Sequence, residues 1–408
     1  MVWLDQGRPS LASARGWRCF QLGLFLLPSS ALLGSLLLFT ALLFGCAGRE
    51  RPYWRDPWNA PLLLASALMI LGCFGAYDHG LAWVGLGNWL PFFWGFWGFQ
   101  PYVMSSESRR RSALWLVAGS VPVVVTGLGQ LWWGWQGPWQ LLGGLIVWFM
   151  AAGGRPEGRL SGLFDYANIA SAWLSLVWPL TLAALVQQGL NRWRRVVVLI
   201  LAVLLVVPLV LGPPSWPWLI PLLALALLPV LLSVLPGVPL MLQDPARTLV
   251  PESLWARLND SQYAGERVLA STRISQWNVA LQLIAERPWL GWGAAAFSVI
   301  YPLRTGQWHG HAHNLPLELA IGHGLPVVVL LVGFVLALLV VSLRRGLSGL
   351  FDRAWWTAFF VLMVLHGTDL PFFDSRLNIA GWILLAGLRA SFSPELSVRL
   401  QPETSSGA

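Results

Sequence analysis

Long apolar segments alternate with short arginine-containing segments along most of this chain. The clearest apolar segments are Pro61–Tyr77, Leu81–Met104, Ala113–Leu131, Ile169–Val186, Leu315–Leu343, Ala354–Leu370 and Leu377–Leu388. A helix needs about 20 residues to cross the hydrocarbon core of a bilayer, and most of these segments approach that length. They lack the polar–apolar alternation of membrane β-barrels. The pattern therefore predicts an all-α polytopic membrane protein with roughly 10–12 transmembrane helices.

Three apolar segments are less regular. Cys19–Cys46 is interrupted at Pro28, which predicts either one kinked span or a tight pair of helices. Leu141–Ala152 has only about a dozen residues, too few for a full crossing, so we expect a re-entrant or interfacial piece. Val196–Leu242 is broken by several prolines, and its number of crossings stays open.

One long polar segment, residues 243–313, interrupts the apolar pattern. Within it, Ala264–Arg287 has no proline and no glycine beyond Gly265, and its apolar residues recur at helical spacing. This pattern predicts an amphipathic helix that Pro288 stops.

The short arginine-rich loops indicate how the chain is oriented, since such loops favour the cytoplasm. They are Arg49–Arg55, Arg109–Arg111, Arg192–Arg195 and Arg344–Arg345. This orientation puts the 153–166 loop and the 243–313 loop outside. The predicted organisation is a cytoplasmic tail (1–16), N-terminal transmembrane helices (17–242), an extracytoplasmic loop (243–313), C-terminal transmembrane helices (314–391) and a disordered cytoplasmic tail (392–408).

Composition supports the membrane class and argues against a nucleic-acid-binding protein. The chain is 56% hydrophobic and 11% charged, whereas a soluble domain has about 25% charged residues. Its net charge of +8 comes from arginines placed mostly in short loops, so the charge is explained by membrane orientation. We therefore expect membrane lipids as surroundings and no nucleic-acid partner.

The end of the polar segment carries the most suggestive residues. His309, His311 and His313 alternate, as histidines of some zinc sites do, but no cysteine or aspartate nearby completes a ligand set. We therefore predict no metal. His313 precedes Asn314 at the boundary with an apolar segment, so either Asn314 merely caps a helix beside a solvated His313, or His313 has a function.

Several ionisable residues lie in the loops predicted to be outside. Arg155, Arg159, Arg273 and Arg304 could bind a pyrophosphate or carboxylate group, because arginine forks match such oxygens, or could simply be solvated. His366 and Asp369 end the apolar segment Ala354–Leu370 together, as His-Gly-Thr-Asp. Such a pair at a membrane boundary is either functional or a structural hydrogen bond.

Taken in order, several segments resemble one family, the bacterial O-antigen ligase and polymerase-like membrane proteins. The segments are Arg159-Leu-Ser-Gly-Leu-Phe-Asp-Tyr-Ala-Asn168, Arg273-Ile-Ser-Gln-Trp277, Arg287-Pro-Trp-Leu-Gly-Trp-Gly293, His313-Asn314 leading to Gly324, and His366-Gly-Thr-Asp369. The resemblance covers about residues 110–390.

This resemblance implies an enzyme of the bacterial inner membrane that needs no cofactor, metal or nucleotide sugar. It would move a glycan from a polyprenyl-pyrophosphate carrier to an acceptor lipid or glycan. Arg159 and Arg273 would bind the pyrophosphate, with Arg304 as a less certain second contact. His313 would act as general base or orient the acceptor hydroxyl. Supporting roles would fall to Asn168, Asn314, His366 and Asp369.

The chain departs from the family pattern at two positions after His313. Val327 replaces a second glycine, and Gly322 replaces a usual acidic residue, for which Glu318 is a possible substitute. Some segments also resemble a cyanobacterial branch named for bicarbonate transport. The alternative is therefore an inorganic-carbon transport-related membrane protein of the same family. The scarcity of ionisable residues within the spans favours the enzyme.

Overall fold

The computed structural model describes residues 8–9, 11–49, 52–187, 196, 272–367 and 369–392. Its helices are α1 Ala14–Leu26, α2 Ala31–Ala47, α3 Ala60–Phe74, α4 His79–Gly85, α5 Leu90–Gly98, α6 Ser106–Gly119, α7 Val121–Trp132, α8 Ala167–Val186, α9 Arg273–Glu286, α10 Ala296–Thr305, α11 Leu315–His323, α12 Leu325–Arg345, α13 Leu350–Leu365 and α14 Ser375–Ala390. Two strands, β1 Trp139–Leu141 and β2 Ile146–Trp148, form a small antiparallel hairpin. The predicted all-α polytopic class is confirmed.

Among the described residues, four helical segments are long and apolar enough to cross a membrane. They are Pro57–Phe74, Ser106–Trp132, Ala167–Val186 and Leu325–Arg345. The predicted proline-broken segment Val196–Leu242 and the first part of the polar segment lie outside the described residues beyond position 196. The predicted count of 10–12 spans and the predicted sidedness therefore stay predictions.

The first apolar segment is a tight pair of helices, one of the two alternatives left open. α1 ends before Pro28, and Ser30 caps α2 by accepting a hydrogen bond from the Leu33 amide over 3.4 Å. A Cβ added at Gly34 would collide with the backbone of Leu27, so a glycine is needed where the two helices meet.

The structure divides one predicted span, Leu81–Met104, and places strands in the short segment Leu141–Ala152. Leu81–Met104 is not one span, because it divides into α4 and α5, with prolines Pro91 and Pro101 each opening a new short helical piece. Most of Leu141–Ala152, as far as Trp148, belongs to the β-hairpin, and its placement as a re-entrant or interfacial piece stays a prediction. Its Trp148 indole donates a hydrogen bond to the Ser29 carbonyl oxygen over 2.6 Å, which ties the hairpin to the α1–α2 turn.

The predicted span Leu315–Leu343 is also interrupted. Gly324 has φ +84°, and a Cβ at this position would collide with the carbonyl oxygen of Trp289. The next amide, that of Leu325, donates to the Pro288 carbonyl over 2.7 Å. The close approach of the 288–289 turn therefore separates the short helix α11 from the long helix α12.

The longer helices run between two polar ends of the bundle. We call one the dyad end, after the paired side chains of His313 and Asp369 that lie there; it is formed by residues 149–166, 287–314, 366–367 and 369–374. The other is the Arg109 end, formed by residues 105–110 and 346–352. Helix α8 joins them, since Asn168 near its start bonds to Asp369 and Gln187 after its last residue bonds to Arg110. At the dyad end a second, smaller apolar core packs α9 and α10 against α11.

Candidate functional site

His313 lies in the connection between α10 and α11, where the backbone takes an unusual conformation. Its φ is +51°, in the left-handed region, which histidine adopts more readily than most residues other than glycine and asparagine. The next residue, Asn314, accepts a hydrogen bond from the Leu317 amide through Oδ1 over 3.0 Å and so caps α11. The predicted cap is therefore present, and it fixes the position of His313 directly before the helix.

Asn314 also joins this loop to the connection that follows α13. Its Nδ2 donates to the Gly367 carbonyl oxygen over 2.9 Å. The neighbouring amide of Leu315 donates to the His366 carbonyl oxygen over 2.8 Å. These two bonds hold residues 313–315 beside residues 366–369, although more than fifty residues separate them in sequence.

This contact pairs His313 with Asp369. His313 Nδ1 lies 3.0 Å from Asp369 Oδ1, and both side chains stay about 30% exposed. The same carboxylate accepts a bond from Asn168 Nδ2 over 3.3 Å and one from the Leu370 amide over 2.8 Å. We call His313 and Asp369 the dyad. Asn168 and Leu370 orient its carboxylate.

The surroundings keep Asp369 ionised. Burial acts to raise the pKa of this carboxyl group, but the hydrogen bond and charge of His313, the charge of Arg273 and the Leu370 amide outweigh burial and lower the pKa to about 2. Next to it, burial and the charges of His313, His309 and Arg273 lower the pKa of His311 to about 4, against the opposing charge of Asp369. Near neutral pH the site therefore combines a negative carboxylate with an uncharged His311.

Arg273 is the predicted phosphate ligand that the structure brings to the dyad. It is the first residue of α9, is half-buried, and lies close enough for its charge to act on both Asp369 and His311. One turn further along α9, the Trp277 indole donates to the Ala312 carbonyl oxygen over 2.9 Å. The described part of the predicted amphipathic helix therefore packs its first turns against residues 306–314, which we call the histidine loop.

The other two predicted phosphate ligands lie differently. Arg159 is half-buried in the loop before α8, at the dyad end. Among the described residues no hydrogen bond or ion pair is seen from its side chain to the dyad. Arg304, at the end of α10, forms a two-pronged ion pair with Glu286, with nitrogen–oxygen distances of 2.8 and 2.6 Å. A phosphate at Arg304 would have to compete with that carboxylate.

His366 lies behind the dyad. It is buried, and its Nδ1 lies 2.7 Å from the Leu362 carbonyl oxygen, while its own carbonyl accepts the Leu315 amide. Its Nε2 is buried and has no hydrogen-bond partner among the described residues. The contacts of His366 thus connect the start of α11 to the end of α13, and its side chain is buried whereas that of His313 is partly exposed.

Two residues, Glu318 and His311, have contacts at the site that their positions in the sequence did not indicate. Glu318 accepts a hydrogen bond from the Ala312 amide over 3.0 Å and so shapes the histidine loop from within α11. His311 lies with its ring centroid 4.3 Å from that of His313, and its Nδ1 accepts the His313 amide over 3.2 Å. The alternation of His309, His311 and His313 was the only signal for His311, and its Asp369 neighbour is distant in sequence.

These features define a polytopic helical membrane protein with an ionisable site at one end of its bundle. A family model described as O-Antigen ligase matches residues 64–332, about two thirds of the chain, and the protein therefore belongs to the O-antigen ligase family. The match includes His313, Arg159 and Arg273 and ends before Asp369. A search among curated proteins finds no match.

Proposed function

We propose that this protein transfers a glycan from a polyprenyl-pyrophosphate carrier to the hydroxyl of an acceptor lipid or glycan. The reaction would take place on the outer face of the bacterial inner membrane, without a metal or nucleotide sugar. The observation that carries this proposal is the His313–Asp369 dyad beside Arg273. Membership of the O-antigen ligase family agrees with it.

The dyad suits a general base. Asp369 is ionised, so it favours the His313 tautomer with the proton on Nδ1, 3.0 Å away. That tautomer leaves the Nε2 lone pair available to accept a proton. As the acceptor oxygen attacks the anomeric carbon, its proton would pass to Nε2, and Asp369 would stabilise the resulting imidazolium.

The leaving group needs positive charge. When the bond from the anomeric carbon to the carrier breaks, negative charge develops on the pyrophosphate, and a nearby guanidinium stabilises it. Arg273 is the candidate for this role, since its charge acts at the dyad. Arg159 would be a second ligand if a bulky pyrophosphate extends towards the 153–166 loop, and Arg304 could serve only by exchanging Glu286 for phosphate.

The test uses a deletion strain of the host bacterium, complemented with variants. Deletion should cause lipid-linked saccharide to accumulate and surface polysaccharide to fall. Complementation with His313→Asn should not restore surface polysaccharide, although asparagine tolerates the positive φ at this position. Complementation with Arg273→Gln should also fail to restore surface polysaccharide. Arg353→Gln, which changes an exposed arginine at the start of α13 near the Arg109 end, is the matched control and should restore the wild-type phenotype.

Two results would contradict the proposal. One is full restoration of surface polysaccharide by His313→Asn at wild-type protein level. The other is a deletion strain with normal lipid-linked saccharide but impaired bicarbonate uptake, which would favour the transport alternative.

A further inference from the structure

Three potential metal ligands converge at the dyad end. One ring nitrogen from His311, one from His313 and one carboxylate oxygen from Asp369 all lie within 4.8 Å of one another. In sequence, no cysteine or aspartate near the histidines completes a zinc ligand set. The structure supplies that aspartate from the connection after α13.

The ligands are held before any ion arrives. The bonds from Asn314 to Gly367 and from Leu315 to His366 join the two connections. The positive φ of His313 and the bond from its amide to His311 Nδ1 keep the two imidazoles 4.3 Å apart. Asn168 bonds to the second oxygen of Asp369, as outer-shell partners of metal-binding carboxylates do.

The chemical nature of the set indicates which ion would bind. Two imidazoles and one carboxylate, with a fourth position open, suit Zn²⁺ and related borderline ions rather than Mg²⁺ or Ca²⁺, which prefer oxygen ligands. The side chains of His313 and Asp369 are about 30% exposed, so an ion can reach them. Arg273 opposes a cation at this position, so we expect weaker, reversible binding than in a closed four-ligand structural site.

We propose that His311, His313 and Asp369 form a reversible inhibitory site for Zn²⁺. Binding would disable the dyad whichever nitrogen of His313 is the ligand. An ion on Nδ1 leaves the ring proton on Nε2, which then cannot accept another, and an ion on Nε2 occupies that lone pair directly; in both cases Asp369 ligates the ion instead of orienting the imidazole. The binding half of this proposal stands alone, whereas the inhibition half rests on the proposed function.

The binding test uses the full chain in detergent, purified with a tag that contains no histidine and stripped of metal. Co²⁺, whose visible absorption reports four-coordinate binding, is added and then displaced by Zn²⁺. Wild-type protein should bind one ion. His311→Ala should weaken binding at least about 100-fold, because it removes a direct ligand. His309→Ala is the matched control and should bind as wild type, since the three converging ligand atoms belong to His311, His313 and Asp369 and the His309 ring packs against Tyr301.

Equal binding by wild type and His311→Ala would overturn the site, as would an absence of binding in wild type or an equal loss in His309→Ala. The inhibition half is tested in membrane vesicles supplied with lipid-linked glycan. Zn²⁺ should inhibit wild type and His309→Ala, while His311→Ala should keep its own metal-free rate. Wild-type transfer that stays constant at a Zn²⁺ concentration that saturates the site would overturn inhibition alone. An absence of transfer without metal would instead contradict the proposed function and leave the Co²⁺ result to decide the site.

Discussion

Two aspartates at opposite ends of the bundle use their carboxylates in different ways. Asp352, at the Arg109 end, has a side chain only 1% exposed. It accepts hydrogen bonds from Arg109 Nε over 2.7 Å and from Ser106, Ser348 and the Gly349 amide over 3.1–3.2 Å. Asp369, at the dyad end, remains 30% exposed and has an imidazole as its main partner.

The difference in exposure and partners distinguishes a structural carboxylate from one that a ligand could reach. A buried charge is stable only when its partners satisfy it, and the partners of Asp352 come from α6 and from the loop before α13. Asp352 thus joins helices. Asp369 has protein partners and a 30% exposed side chain, and under the proposed function its imidazole partner exchanges a proton with a substrate. Saturated contacts indicate structure, and an open, ionised group beside a base indicates function.

The largest effect should come from Asp352→Ala. It would leave the Arg109 guanidinium buried without its carboxylate, which costs about 3–5 kcal/mol. Thermal unfolding in detergent should show the loss, and activity should fall only as the folded fraction falls. Glu107→Ala removes a carboxylate that is 46% exposed and pairs with Arg110, and should cost about 0–1 kcal/mol. Equal costs for the two variants would refute the distinction.

Asp369→Asn should give the opposite result, with the fold retained and transfer lost. The amide cannot stabilise the imidazolium, so the rate should drop about 100-fold, within the usual range for a disturbed general base. Initial rates in vesicles, together with the melting temperature, measure both properties. A melting temperature that falls as far as that of Asp352→Ala would show that Asp369 is a structural carboxylate as well.

Asn314→Ala should lower both the stability of the fold and the transfer rate moderately. Losing the cap of α11 costs about 1 kcal/mol, and losing the bond to Gly367 loosens His313 relative to Asp369. The melting temperature and transfer rate should therefore fall together. Asn314→Ser retains a capping oxygen without the reach of the amide, and should recover stability more than activity. Recovery of both by serine would show that the cap alone positions the dyad.

The smallest effect should come from Glu286, an exposed carboxylate. The hydrogen bond from Arg304, aided by the charges of Arg304 and Arg287 and opposed by desolvation, lowers its pKa below the usual 4.5. A carboxylate with a lowered pKa stabilises the fold above its unfolded-state pKa and loses that contribution as pH falls below about 4.5. Glu286→Gln should therefore lower the melting temperature slightly at pH 7 and not at pH 3. A difference that persists at pH 3 would exclude the ion pair as its cause.

The apolar pattern predicted the long helices well. Segments such as Pro61–Tyr77 and Ile169–Val186 correspond closely to α3 and α8, because length and apolarity decide such helices locally. The pattern failed at Gly324 and within Leu81–Met104. There the chain is broken by its packing against another segment or by proline in short helices, and average hydropathy contains no information about either.

The candidate site was predictable only in part. The sequence placed Arg273 within a predicted amphipathic helix, Ala264–Arg287, and His313 directly before Asn314, the candidate cap of the next apolar segment. It could not show that Asp369 meets His313, since that contact depends on backbone carbonyls at His366 and Gly367, which are invisible in a residue pattern. Nor could it show that Arg304 already faces Glu286, eighteen positions earlier.

The two bonds from residues 314 and 315 to residues 366 and 367 have a mechanical consequence. They join the loop before α11 to the loop after α13, so we expect a displacement of either loop to carry His313 and Asp369 together. If the proposed lipid-linked donor enters by displacing one of these loops, we therefore expect His313 and Asp369 to stay paired.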